Sequence, residues 1–276
     1  MITLKANGAE IPALGLGTYA LNGAECVDIV SRALKAGYRH IDTAAFYENE
    51  SEIGEAIAAS DVPRDELFVT TKVWPTEVRE GAFQKSVEAS LGRLGLEQVD
   101  LLLIHWPPQN DQVADWARLL CDAAKRGQAR HIGVSNFTTA LLDQMVDACD
   151  VPLVVNQVEN HPYLDQSKIR AACARHNMAL MAYCPLQKGR ELFEDPVIAS
   201  LAAKYGRNPS QIVLRWHMQH EGAGAIPKTA TPKRLIENIS IFDFEISDQD
   251  MAQIDGLNAR HFRVCDYDFS PHWDTP

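Results

Sequence analysis

Two hydrophobic rhythms alternate along this chain. Short apolar runs at Tyr38-Arg39-His40-Ile41, Phe68-Val69-Thr70-Thr71, Val99 to Ile104, Ile132-Gly133-Val134, Leu153-Val154-Val155, Leu180-Met181-Ala182 and Ala225-Ile226 each predict a strand buried on both faces. Between them, apolar residues recur three and four apart. Cys26, Val27, Val30, Ala33 and Leu34 predict one helix, stopped by Gly37 as a left-handed cap. Ile53, Ala56 and Ile57 predict a second helix, and Phe83, Val87, Leu91 and Leu94 a third. Further helices are expected over 112–126, 138–148, 165–176, 194–205 and 209–219. Asn208-Pro209 and Thr231-Pro232 read as N-caps followed by proline at the first helical position, and Ser247 with Asp250 as a capping box. Ahead of all this, Asn7-Gly8 between Ile2-Thr3-Leu4 and Glu10-Ile11 predicts a β-hairpin, and Gly15-Leu16-Gly17 a first sheet strand.

Polar residues stand where these runs end. Asp42, Lys72 and His105 are followed by Ser135, Gln157, Tyr183 and Lys228, at intervals of 30, 33, 30, 22, 26 and 45 residues. Units of that length hold a strand and a crossover helix, and the last has room for two helices. The expected fold is α/β: a (β/α)8 TIM barrel with an N-terminal β-hairpin and additional helices, forming one domain over residues 1–276. A doubly wound open sheet competes, but no G-x-G-x-x-G follows the first strand. In a barrel, strand ends of this polarity line the active-site face.

Composition narrows the possibilities. A net charge of -11 disfavours nucleic acid or an anionic membrane as partner. Six scattered cysteines without C-x-x-C argue against metal binding or redox pairing and fit a reducing cytoplasm. No leader or long apolar span is visible, and no unusual apolar surface pattern, so a cytoplasmic monomer is expected. His217 and His220 lie three apart, but lack the further ligands that a metal site requires.

Chemistry concentrates at Asp42, Tyr47, Lys72 and His105. A phenol of pKa near ~10 is a poor acid at neutral pH unless a neighbouring cation lowers it. Lys72 can supply that cation, Asp42 can keep the lysine charged, and His105 can donate a hydrogen bond to a carbonyl oxygen. Alone, Asp42 and Lys72 are an ion pair that holds strands together; all four at adjacent strand ends indicate a catalytic site.

Gly37-Tyr38-Arg39-His40-Ile41-Asp42-Thr43-Ala44, with Tyr47 and Asn49-Glu50, resembles the first signature of the aldo-keto reductases. Thr71-Lys72-Val73-Trp74, Ile104-His105-Trp106-Pro107, Gly133 to Phe137, Asn156-Gln157, and Ile226 to Arg234 with Glu237-Asn238 resemble later motifs. The resemblance covers residues 1 to 260 and is strongest to short bacterial 2,5-diketo-D-gluconate reductases. It implies reduction of an aldehyde or ketone by NADPH without metal, with Tyr47 as proton donor, Asp42 and Lys72 tuning it, and His105 orienting the carbonyl. It further implies that Ser135, Asn136 and Gln157 hold the nicotinamide amide, and that Tyr183 stacks on the ring. Lys228, Thr229, Arg234, Glu237 and Asn238 would grip the adenosine end, with Leu186 also against the cofactor. Cations near a helix N-terminus suit the phosphate that separates NADPH from NADH.

Two residues depart from the family pattern: Cys184 stands where serine is common, and Gln187 where glycine is frequent. Tyr19, Phe46, Trp74 and Trp106 are the candidate substrate contacts, with the tail from Phe269 to Trp273 placed to fold over them. The loops from Trp106 to Asp111 and from Gln187 to Glu194 are short, which suits small carbonyls such as keto-sugars or methylglyoxal. Two other readings compete: a Schiff-base aldolase using Lys72 or Lys228, and a non-catalytic NADPH-binding sensor.

Overall fold

The computed structural model describes residues 2–189 and 191–274. Strands β1 (Thr3–Ala6) and β2 (Ala9–Pro12) pair antiparallel. Asn7 and Gly8 join them with φ of 44° and 86°, the left-handed pair that a two-residue hairpin of this twist requires. Eight parallel strands follow, each hydrogen-bonded to the next: β3 (Leu16–Gly17), β4 (His40–Asp42), β5 (Phe68–Val73), β6 (Val99–Ile104), β7 (Ala129–Ser135), β8 (Leu153–Glu159), β9 (Ala179–Tyr183) and β10 (Ala223–Ala225). The edges meet. Gly15 N–H donates to the Ala225 carbonyl at 2.9 Å and Gly17 N–H to the Pro227 carbonyl at 3.1 Å. A Cβ on Gly17 would lie 2.7 Å from the Ile226 carbonyl oxygen, so this closure depends on glycine. The sheet is therefore a (β/α)8 barrel and not an open doubly wound sheet.

Helices α1 (Gly23–Lys35), α2 (Glu50–Ala58), α3 (Ala82–Leu94), α4 (Val113–Lys125), α5 (Thr139–Ala148) and α6 (Ser167–Arg175) are the crossovers from β3 to β9. Two helices, α7 (Pro196–Tyr205) and α8 (Pro209–Gln219), fill the long step to β10; α9 (Pro232–Ile239) and α10 (Asp248–Asp255) follow. The main core lies inside the barrel and between strands and helices. A smaller cluster, including Leu192, Ile198, Ile212, Trp216 and Ile254, sits under α7, α8 and α10.

Several local expectations shift. The strand expected from Tyr38 begins at His40, because Tyr38 instead turns its hydroxyl to the Leu235 carbonyl, 3.1 Å away on α9. The last strand spans 223–225 and leaves Ile226 just outside. Thr231 occupies the N-cap of α9 without a side-chain bond; the Thr229 hydroxyl accepts the Thr231 N–H at 3.0 Å instead. Asn208 forms a full capping box with Gln211. Ser247 makes half of one: its hydroxyl accepts the Asp250 N–H, while the Asp250 carboxylate turns to Lys204 and Tyr205. His217 is fully buried against Trp216, and His220 pairs with Asp255 at 3.2 Å.

Candidate active site

The carboxyl ends of β4 to β9 carry one continuous run of hydrogen bonds. Asp42 is the last residue of β4 and Lys72 the penultimate one of β5; both are buried. The Lys72 ammonium donates to Asp42 Oδ1 at 2.5 Å, to the Thr43 carbonyl at 2.9 Å and to the Tyr47 hydroxyl oxygen at 3.3 Å. Its three hydrogens are thereby all assigned. The other carboxylate oxygen of Asp42 accepts from the Gln157 amide at 2.7 Å. Tyr47 sits on a single 3-10 turn after β4, Ala45–Tyr47, terminated by Glu48 in the left-handed region at φ 56°. His105 directly follows β6, and its ring lies edge-on to Tyr47 with centroids 5.5 Å apart.

Burial sets the protonation of these groups. Removal from water, then the Lys72 charge, pushes His105 well below its ordinary 6.5, so the imidazole is neutral at pH 7. Removal from water also pulls the Lys72 ammonium down, opposed by the charge and hydrogen bond of Asp42. For Tyr47 the direction is opposite to that expected from sequence: burial, reinforced by Asp42, raises the phenol well above 10. The ammonium is spent largely on Asp42, so its pull on the phenol is outweighed. The phenol thus keeps its proton. Because Lys72 occupies a lone pair on the hydroxyl oxygen, the phenolic hydrogen is left free to donate elsewhere.

On the neighbouring strand ends, the Ser135 hydroxyl donates to the Gln157 carbonyl at 2.8 Å. Asn136, left-handed at φ 65°, donates its amide to the His105 carbonyl at 3.0 Å and the Ser135 hydroxyl at 3.1 Å, and accepts from the Tyr183 hydroxyl at 2.7 Å. Ser135, Asn136, Gln157 and Tyr183 are therefore brought together with the four polar residues. Lys228, ahead of α9, and Arg234, on it, stand apart from this network, exposed and with no ion pair among the described residues. Lys233 instead pairs with Glu237 at 3.4 Å. Thr229 and Asn238 are buried at the same helix, and Leu186 bridges the two hydrophobic clusters.

Aromatic rings surround the mouth. Phe46 stacks on Trp74 with centroids 4.1 Å apart, Trp74 meets His105 edge-on, and Tyr19 meets Tyr47 at 5.2 Å. Trp106 is buried beneath the C-terminal tail, touched by Tyr267, Phe269 and Trp273. The tail does fold over this face. What holds it escaped the sequence reading: buried Glu159 on β8 accepts the N–H groups of Val264 at 2.6 Å and Cys265 at 2.7 Å. Arg263 lies 3.7 Å over the Trp273 ring, and Asp274 accepts the Thr139 N–H at 2.9 Å. A buried acid closing strand β8, two residues beyond Gln157, was the available signal. Asn49 and Glu50, also within the family-like motif, serve the frame: Asn49 binds the Thr18 and Leu21 carbonyls, and Glu50 pairs with Arg93.

A closed barrel whose strand ends bear an acid, an amine, a phenol and an imidazole is the form of a carbonyl-reducing oxidoreductase. The aldo/keto reductase family model matches residues 13–259, and the chain belongs to that family. An aldo-keto reductase of Mycobacterium avium (strain 104) is 43% identical over 251 residues, covering 91% of this chain and 87% of the relative. A glyoxal reductase of Bacillus subtilis (strain 168) is 43% identical over 253 residues, 91% of each chain. A solved structure provisionally described as a 2,5-diketo-D-gluconic acid reductase B superposes with a TM-score of 0.96 at 41% identity, covering 100% of this chain and 98% of that one. Family members generally use a nicotinamide cofactor, and the family implies carbonyl reduction.

Proposed function

We propose that this protein reduces a small aldehyde or ketone to its alcohol with NADPH, and that Tyr47 gives the proton. The carrying observation is the Lys72 ammonium held between Asp42 and the Tyr47 hydroxyl oxygen, with neutral His105 alongside.

The residues fit a nicotinamide. Ser135, Asn136 and Gln157 supply a hydroxyl and two amides within one bonded group, the complement of a carboxamide, and Tyr183 adds a ring anchored through its hydroxyl. When bound, the cofactor supplies hydride to the carbonyl carbon. The chain's own residues handle the oxygen. His105 Nδ1 is buried without a partner among the described residues. An unprotonated nitrogen there costs less than an unmade N–H, which puts the hydrogen on Nε2 as a donor that orients the carbonyl. Tyr47 then passes its proton to the oxygen as negative charge grows, and Lys72 steadies the resulting phenolate through the bond it already makes. Lys72 is fully engaged and buried, which disfavours a Schiff base. A mere binding module would not require the donor.

The aromatic mouth and the short loops beside it support a small or polar carbonyl, such as a keto-sugar or methylglyoxal. Glyoxal reduction by the relative from Bacillus subtilis adds weight. The test is cofactor oxidation with a panel of aldehydes and ketones, NADPH against NADH. Tyr47→Phe removes the phenolic hydroxyl and should lower kcat by about 10²–10⁴-fold, with NADPH affinity unchanged within a few-fold. Full turnover in that variant overturns the acid role.

A further inference from the structure

Cys184 and Cys265 are 81 residues apart, yet their sulfurs lie 4.0 Å from each other. Cys184 is the first residue after β9, adjacent to Tyr183, partly exposed, and left-handed at φ 47°. Cys265 belongs to the C-terminal tail and is 7% exposed, its N–H fixed by Glu159 Oε2. The pair thus joins the two segments that border the site from this side. Both thiols lie near enough to act electrostatically on Tyr47 and on Tyr183. A disulfide needs its sulfurs at about 2.05 Å, so roughly 2 Å of approach suffices, and one partner sits in a loop.

We propose that Cys184 and Cys265 form a reversible disulfide on exposure to a peroxide, and that this bond clamps the tail to the loop after β9 and slows exchange of the dinucleotide. The bond itself is independent of the functional reading above; the slowed exchange rests on it. The chemistry balances with one peroxide. One thiolate attacks a peroxide oxygen, the O–O bond breaks, and sulfur gives up two electrons to become a sulfenic acid while hydroxide leaves as water. The second thiol attacks the sulfenyl sulfur, the S–O bond breaks, the S–S bond forms, and a second water departs. Thiol reductant reverses it.

The other thiols frame the choice. Burial pushes Cys26 and Cys173 up to about 12, which leaves them almost wholly un-ionised. Its contact with the Cys184 thiol holds Cys265 below the ordinary thiol range. Cys121 and Cys149 are a second interacting pair, on α4 and just beyond α5. They are the rival destination for an oxidant.

The test uses the full chain, reduced and then treated with hydrogen peroxide. Remaining thiols are alkylated under denaturing conditions and the digest is mapped by mass. Two of the six thiols should disappear, a Cys184–Cys265 linked peptide should appear, and dithiothreitol should restore both. Cys184→Ser and Cys265→Ser should each lose this linkage. Linkage of Cys121 to Cys149 alone, or sulfinic acid at Cys184 or Cys265 in place of the crosslink, overturns the site. NADPH release, followed by its fluorescence, should slow several-fold in the oxidised protein and return to the reduced rate after dithiothreitol. A linked peptide with an unaltered release rate overturns the clamp. Failure of the reduced protein to bind NADPH overturns the cofactor reading and the clamp with it, and leaves the linkage standing.

Discussion

At the scale of single residues, the pairing of Asp42 with Lys72 governs both stability and protonation. Each is buried, and each compensates the other at 2.5 Å. Removing one partner of such a pair typically costs about 3–5 kcal/mol, because the remaining charge is left without its counterion. Lys72→Met should therefore lower the urea midpoint more than the double change Asp42→Asn with Lys72→Met. Equal midpoints in the two variants would show that Gln157 alone satisfies the carboxylate. This level was the most legible from sequence, since acid, phenol, amine and imidazole fall at fixed intervals after apolar runs. The direction of the Tyr47 shift was not legible. It depends on how burial, Asp42 and Lys72 balance in three dimensions, and spacing along a chain carries no desolvation.

At the scale of elements, α9 and the tail behave differently. α9 is tied to the barrel by the Tyr38 hydroxyl, and by Gln211 on α8, whose amide reaches the Glu237 and Ser240 carbonyls. Arg234 remains exposed on it without an ion pair among the described residues, while Lys233 is held by Glu237. A charge-assisted bond to the 2′-phosphate is worth about 1.5–3 kcal/mol, so Arg234→Ala should weaken NADPH by roughly 10- to 100-fold and leave NADH nearly unaffected. Titration of the two cofactors decides the point, and equal losses contradict the assignment. The strands and helices were readable because short unbroken apolar runs and a period of 3.6 differ sharply. Short ends were less so: Tyr38 left its strand, and Thr231 capped nothing, because contacts with α9 and Thr229 outweighed local propensity. The anchor of the tail was invisible for a related reason. Glu159 and Cys265 are joined only by the fold.

For the whole molecule, buried and half-buried histidines link stability to pH. Desolvation pushes His40, His105, His131 and His217 below 6.5, His217 to about 3. In the unfolded chain each would protonate near 6.5, whereas in the fold each stays neutral to lower pH. Between the folded value and 6.5 the unfolded state therefore binds more protons, and stability falls as pH falls. The contribution is complete above 6.5 and is lost progressively below it. The carboxylates Glu159 and Asp250, both held below their ordinary range, act in the same direction only at lower pH. From pH 7 to 5.5, each histidine that remains neutral should remove roughly 1 kcal/mol. The urea midpoint should drop accordingly across that interval. His217→Gln supplies an amide donor for the Pro185 carbonyl that His217 Nε2 now faces at 3.3 Å. It should flatten the dependence by about one histidine's share. A midpoint constant from pH 7 to 5.5 in the unaltered protein would mean that these imidazoles take up protons in the fold as readily as in the open chain.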